Sequence, residues 1–337
     1  SVLLDNYGVA STGREQAGLT ASLDNPLHLN DFVTVTRRQS YGAHIGQKGS
    51  GSTSVFYSVP YGATLLSAGY AQSEYANTAL APGNVVLNLT GDTTTTFVKL
   101  DHVAWRGRVA RVTLNAGLNL RDANNYINGQ ILTLSSRKLA SIDLGLDIST
   151  RLAGGFATFD LGLSSGISGL GGLDDMPGLP SSAPHAQYYK TTFAASYLRP
   201  FRLAERAATF TSSISGQYSS ETLYASDQIS IGGIYSVRGF YLTSLGGDNG
   251  AVSRNEVSIQ QPIGLGITLR PYLGIDAGWI DGHTNLGVSG TLVGAALGVS
   301  ATRGSVLVDV FVATPLSKPS FAPKEDFTAF ARLAAAF

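Results

Sequence analysis

The chain has 337 residues, with 40 glycines, no cysteine and one methionine, and its formal charges cancel to a net of zero. Charged residues make up 14%, against roughly 25% in an ordinary soluble domain, and no run approaches the roughly 20 apolar residues of a membrane helix. This excludes a helical membrane protein, offers no basic footprint for nucleic acid, provides no disulfide framework, and suits a protein that is apolar outside and polar inside.

Two-residue alternation is the dominant pattern, and it predicts sixteen strands. They run over residues 1–8, 14–24, 31–39, 52–59, 62–75, 93–104, 107–121 and 138–150, then 154–166, 187–198, 206–218, 251–262, 267–280, 288–301, 304–313 and 327–337. Val112, Leu114, Ala116, Leu118 and Leu120 alternate with Thr113, Asn115, Gly117, Asn119 and Arg121. Ile142, Leu144, Leu146 and Ile148 alternate with Asp143, Gly145, Asp147 and Ser149. Further on, Leu269, Leu273, Ile275, Ala277 and Trp279 share one face, and Arg270, Tyr272, Gly274 and Asp276 the other. Segments of this length and pattern are those of a tilted membrane strand, which needs about 9–11 residues. The expected fold is all-β: a 16-stranded antiparallel transmembrane β-barrel filling residues 1–337, with a long loop folded into its lumen.

The connections carry the same reading. Tight ones at 59–62, 105–107, 152–155 and 302–304 alternate with long ones at 40–51, 76–92, 122–137, 167–186, 219–250 and 314–326. Short periplasmic turns and long outside loops are the signature of outer-membrane barrels. Both chain ends then fall on the periplasmic side, and 219–250 becomes the sixth outside loop. Loop 167–186, rich in glycine, reads as the most flexible stretch. Trp105 and Trp279 are placed either in opposite interfacial belts or as ordinary strand-end aromatics.

The sixth loop holds Ile231-Gly-Gly-Ile-Tyr-Ser-Val-Arg-Gly-Phe240, an arginine boxed by Val237, Gly239 and Phe240. Parity puts Asp276 on the lumenal face of 267–280, and Arg254, Glu256 and Gln260 inward on 251–262, with Val257 and Ile259 outward. A guanidinium is a rigid fork that suits one carboxylate bidentately. Either Arg238 reaches inside and pairs with Asp276, with Glu256 as a second partner, or Arg238 is a solvated loop arginine and Asp276 polar lining. Phe337 faces outward by parity, either as a simple apolar strand end or as something more specific.

Enzyme chemistry finds no footing. His28, His44, His102, His185 and His283 are scattered, without metal-ligand spacing, and neither a Gly-x-Ser-x-Gly elbow nor a Gly-x-Gly-x-x-Gly loop occurs. Asp174 and Asp175 read as solvated loop acids in preference to calcium ligands. No metal or cofactor is expected.

Several stretches resemble known proteins. Val237-Arg-Gly-Phe240 with Asp276-Ala-Gly278 resembles paired motifs of the outer-membrane superfamily that includes the barrel-assembly insertase. Asn125-Tyr-Ile-Asn-Gly129 with Ser135-Ser-Arg-Lys-Leu139, Asp5-Asn-Tyr-Gly8 with Ser11-Thr-Gly13, and Leu223-Tyr-Ala-Ser-Asp-Gln-Ile-Ser-Ile-Gly-Gly233 resemble the two-partner secretion transporters, the exporters of haemolysin and filamentous haemagglutinin. The resemblance implies a bacterial outer-membrane location and the Arg238–Asp276 pairing, with Gly278 in the motif. It also implies export without ATP of a large unfolded partner: an adhesin, haemolysin or contact-dependent toxin. It implies that Phe337 is read by the barrel-assembly machinery during insertion into lipid and lipopolysaccharide, and that the barrel is monomeric. Periplasmic peptide-binding domains and a plug helix, part of the family pattern, are absent from these residues, which reads as a barrel cut from a longer transporter. Competing functions are a passive porin, an insertase for other barrels, and an outer-membrane protease or lipase.

Overall fold

In the computed structural model, which describes residues 1–41, 49–283 and 288–337, every regular element is a β-strand. His44 lies outside the described residues. The main sheet has 18 strands. Two are fragments: Gln130–Ile131 folds back on the end of Ala110–Ile127, and Gln261–Gly264 continues Asn249–Ile259 past a break at Gln260. The remaining sixteen are the staves of a closed antiparallel barrel, each paired with its sequence neighbours and the last with the first. Gln260, expected inward, falls at the break and is exposed.

The alternation explains the closure. Leu114, Leu144, Phe159, Leu161, Leu163, Leu273 and Ile275 are all 42–55% exposed, while Asp276 and Thr113 are buried. Large apolar side chains face out and polar ones face in, as lipid on the outside demands. Backbone groups are satisfied between strands around the ring, so the hydrocarbon meets no unpaired edge.

Sixteen antiparallel strands bring both ends of the chain to the same rim. Several turns place both central residues in the left-handed region, as at Ala153 (φ 46°) with Gly154 (φ 76°) and Ala204 (φ 46°) with Glu205 (φ 66°). Such turns match the twist of the strands they join.

Two connections expected as loops are strand instead. Residues 76–92 belong to Thr64–Ala81 and Val85–Arg106, which pair without interruption to Ala81↔Val85 and turn over Gly83 (φ 84°) and Asn84 (φ 60°). Most of 122–137 is likewise strand: Ala110–Ile127 runs to a hairpin tip at Asn128 (φ 50°) and Gly129 (φ 79°). The Pro82-Gly-Asn84 and Asn128-Gly129 turn signals and the loss of strict alternation hid their pairing, because above the membrane an outward face no longer has to be apolar. The three strands are 18, 22 and 18 residues long, about twice what the hydrocarbon requires.

The seam between first and last strands is the opposite case. Val2–Asp5 pairs with Thr328–Ala335 only from Val2↔Ala335 to Asp5↔Arg332. The expected strand over 1–8 ends early, because beyond Asp5 side chains replace the ladder. Asn6 donates its backbone N–H to the Ala331 carbonyl (3.2 Å) and its carboxamide to that of Ala329 (3.2 Å), and accepts from the Ala331 N–H (2.9 Å).

Inside, one half of the wall is covered. Ile231, Val237, Phe240 and Leu245 from the sixth outside connection pack on Val252, Ile280 and Leu292 of the inner wall. Nearer the seam, Tyr272, Ala296, Phe311, Ala313 and Phe330 form a second cluster, joined by Tyr7, Ile234 and Tyr241. The other half stays polar around a cavity of about 610 Å³ whose lining includes Lys99, Asn115, Asp143, Asp147, Asp160 and Lys190.

Candidate functional site

The sixth connection enters the barrel on a two-stranded stalk, Ile229–Ile231 paired with Leu245–Gly247. Between them the chain dips into the lumen. Gly232 (φ 100°) starts the descent, and a Cβ there would stand 2.2 Å from the Thr243 carbonyl. Gly239 (φ 103°) reverses the chain at the bottom against Thr314. Ser236 closes the turn by donating its hydroxyl to the Gly232 carbonyl (2.9 Å).

Arg238 sits at the lowest part of this excursion, 4% exposed, and Asp276 opposite it is 0% exposed. Asp276 Oδ2 accepts from the Arg238 backbone N–H (3.0 Å) and from Nε (2.7 Å), and Oδ1 accepts from Nη2 (2.9 Å). The remaining fork tip, Nη1, donates to Glu256 Oε2 at 3.0 Å. Glu256 Oε1 in turn accepts from Arg270 Nη1 at 3.3 Å. Two acids and two arginines thus alternate along the inner wall. Burying such charges costs several kcal/mol each unless geometry and hydrogen bonds compensate, and here each clasp oxygen has a donor.

The wall is shaped to receive the segment. Register places Arg254 opposite Asp276 and Glu256 opposite Gly274 on one side, and Gly294 opposite Asp276 on the other. A Cβ on Gly274 would lie 2.1 Å from Arg238 Nη2, and one on Gly294 would lie 1.8 Å from the Arg238 carbonyl oxygen. One on Gly278 would meet Val237 and Ile231 at 3.0–3.2 Å. Three inward glycines around one carboxylate make the recess. Val237 (0%) and Phe240 (1%) flank the arginine and bury on the wall above and beside it.

The residues singled out from sequence therefore fall as follows. Arg238, Asp276, Glu256, Val237, Gly239, Phe240 and Gly278 meet in one place. Phe337 is 95% exposed beyond the last strand, far from them in the fold. Trp105 (53%) and Trp279 (48%) are exposed at opposite strand ends.

Sequence reasoning missed Gly274 and Gly294, although inward parity together with small size could have found them. It also missed Glu325, which accepts from three backbone N–H groups of the lumenal segment, Tyr241 (2.6 Å), Leu242 (2.7 Å) and Thr243 (2.9 Å). A lone acid in an aperiodic connection gives no signal. Asp175 corrects an expectation: it is not a solvated loop acid. Its carboxylate accepts from the N–H groups of Ala186 (2.8 Å) and Gln187 (3.1 Å) and lies 3.2 Å from His185 Nδ1, so the glycine-rich loop is knotted.

Fold and clasp define an integral outer-membrane β-barrel with a segment of its own chain fastened inside. Residues 1–301 match the family model described as haemolysin secretion/activation protein ShlB/FhaC/HecB, and the chain belongs to that family. It is 34% identical over 343 residues to the outer membrane transporter CdiB of Escherichia coli, covering 100% of this chain and 57% of that protein. Over 286 residues it is 29% identical to the hemolysin transporter protein HpmB of Proteus mirabilis, covering 85% and 50%. The solved structure of CdiB from Escherichia coli superposes with a TM-score of 0.94 at 32% identity, covering 100% of this chain and 62% of that one. BamA from Haemophilus ducreyi, at 12% identity and a TM-score of 0.59, shares the fold. The chain thus spans little more than half the length of the curated relatives it matches.

Proposed function

We propose that this barrel is the membrane unit of a two-partner secretion transporter that exports a large unfolded partner protein without ATP, and that Arg238, Asp276 and Glu256 hold the lumenal segment in its working position. The observation that carries the reading is the buried clasp, set in a barrel whose family relatives bear the names of outer membrane and hemolysin transporters. A guanidinium bonded through three nitrogens fixes orientation as well as position. The other half of the lumen, polar and open around Lys99, Asp143 and Lys190, offers an unfolded chain hydrogen bonds without an apolar trap. The exported partner, recognition by periplasmic domains in the part of the relatives outside this chain, reading of Phe337 by the assembly machinery, and a monomeric state in lipopolysaccharide-rich membrane belong to the same proposal.

The test is secretion by the full-length protein. Arg238→Ala leaves Asp276 buried without its main donor, which costs about 3–5 kcal/mol, and the exported partner should then be lost from the medium while the barrel still assembles. Wild-type export by an assembled Arg238→Ala barrel overturns the role of the clasp. Steady ion conductance with no partner exported by the wild type would mark a porin.

A further inference from the structure

The seam of the barrel is joined by a short ladder, yet both segments that border it reach the lumenal segment. Glu325 stands three residues before the Thr328–Ala335 strand. Its carboxylate sits in the concave row of three N–H groups at Tyr241, Leu242 and Thr243, the arrangement in which successive amides hold an anion. From the other side comes the connection after Val2–Asp5. The Arg14 guanidinium lies 4.9 Å from the centroid of the Tyr241 ring, and its Nη2 donates to the Ala329 carbonyl on the last strand. The Tyr7 ring meets Tyr235 edge-on at 6.4 Å, and its hydroxyl donates to Asp309 Oδ2 at 3.3 Å.

We propose that the lumenal segment is the keystone of the seam: Glu325 and Arg14, which adjoin the two closing strands, grip Tyr241 by its backbone and by its ring, so seating the segment closes the barrel. Glu325 is then a positioning residue acting through the segment on a joint it does not itself touch. Displacing residues 241–243 frees Glu325 and uncaps Arg14 together, removing support from Ala329 and Ala331, where side chains already stand in for ladder bonds. The inference does not depend on what the barrel exports.

These 337 residues hold no cysteine, so an engineered pair would be the only thiols of the barrel itself. Leu4 and Leu333 are cross-strand partners and both face outward; Leu4→Cys with Leu333→Cys gives a seam that can be reduced or oxidised. Glu325→Ala should lower the unfolding temperature with the seam reduced, and oxidation should remove most of that loss. Asp248→Ala, which strips the acceptor from the Leu223 and His283 N–H groups away from the seam, should lose the same increment in both states. This non-additivity is what a merely structural glutamate would not produce. An equal loss in both states, or none, overturns the proposal. Where the alanine variant fails to assemble, Glu325→Gln carries the same test by hydrogen exchange. The amides at 241–243 and the Ala331 amide should both exchange roughly tenfold faster; faster exchange at 241–243 with Ala331 unchanged overturns the coupling.

Discussion

Arg238 is held by geometry that lysine cannot copy. Its Nε, Nη2 and backbone N–H serve Asp276 while Nη1 serves Glu256, and a single ammonium cannot span both acids in that fixed fork. Arg238→Lys should therefore assemble but release the segment, seen as faster cleavage at 232–244 by protease added to purified protein. Gly294→Ala should do the same by a different route, since its Cβ would occupy the place of the Arg238 carbonyl oxygen; overpacking of this kind costs about 1–3 kcal/mol. Unchanged protection in either variant would show the segment seated by its apolar flanks alone. Strand parity aimed Asp276 inward but left Arg238 readable as a solvated loop arginine; their partnership was legible only through the resemblance of Val237-Arg-Gly-Phe240 and Asp276-Ala-Gly278 to paired motifs. Glu325 was not, because a carboxylate that binds main-chain amides leaves no trace of its partners' identities.

At the scale of elements, period-two patterning revealed the staves wherever one face meets lipid and the other water. It failed at Ala76–Ala81 and Val85–Gly91, where both faces meet water and the pattern lapses while the ladder continues. The tip of Ala110–Ile127 shows what carries order there: Asn128 and Gly129 both have positive φ, and Asn128 Oδ1 accepts from the Asn88 N–H at 2.9 Å. Gly129→Val would force a β-branched residue into the left-handed region, where bulky side chains are genuine outliers, at about 1–3 kcal/mol. The measured consequence should be local. Amides of 124–131 should exchange faster, with those of Arg137–Leu152 below the tip unchanged. Loss of protection throughout the barrel would mean that the tip nucleates the sheet.

For the whole molecule, the inside-out arrangement places its packed hydrophobic core in the lumen, around a segment of its own chain, and leaves most other large apolar residues to lipid. Stability therefore has two sources, the ladder and the fastened segment, which meet at the seam. Removing the segment's apolar anchor by Phe240→Ala should cost about 3–5 kcal/mol locally while the barrel still migrates as a folded species in unheated gels. Collapse of that species would show that the ladder cannot stand alone. That the long loop folds into the lumen was expected from the sequence; what the sequence could not show is the recess that seats it, because Gly274, Gly278 and Gly294 come together only when neighbouring strands are in register.

The three tall strands give the outer rim an uneven skyline. On one flank the sheet of Thr64–Ala81, Val85–Arg106 and Ala110–Ile127 rises past the bilayer as a parapet, while across the mouth the chain is drawn down inside. An antibody approaching from outside meets in that parapet a surface composed from neighbouring strands held in register. Epitopes there are conformational: a linear peptide of residues 76–91 should fail to compete for antibodies raised against the folded barrel.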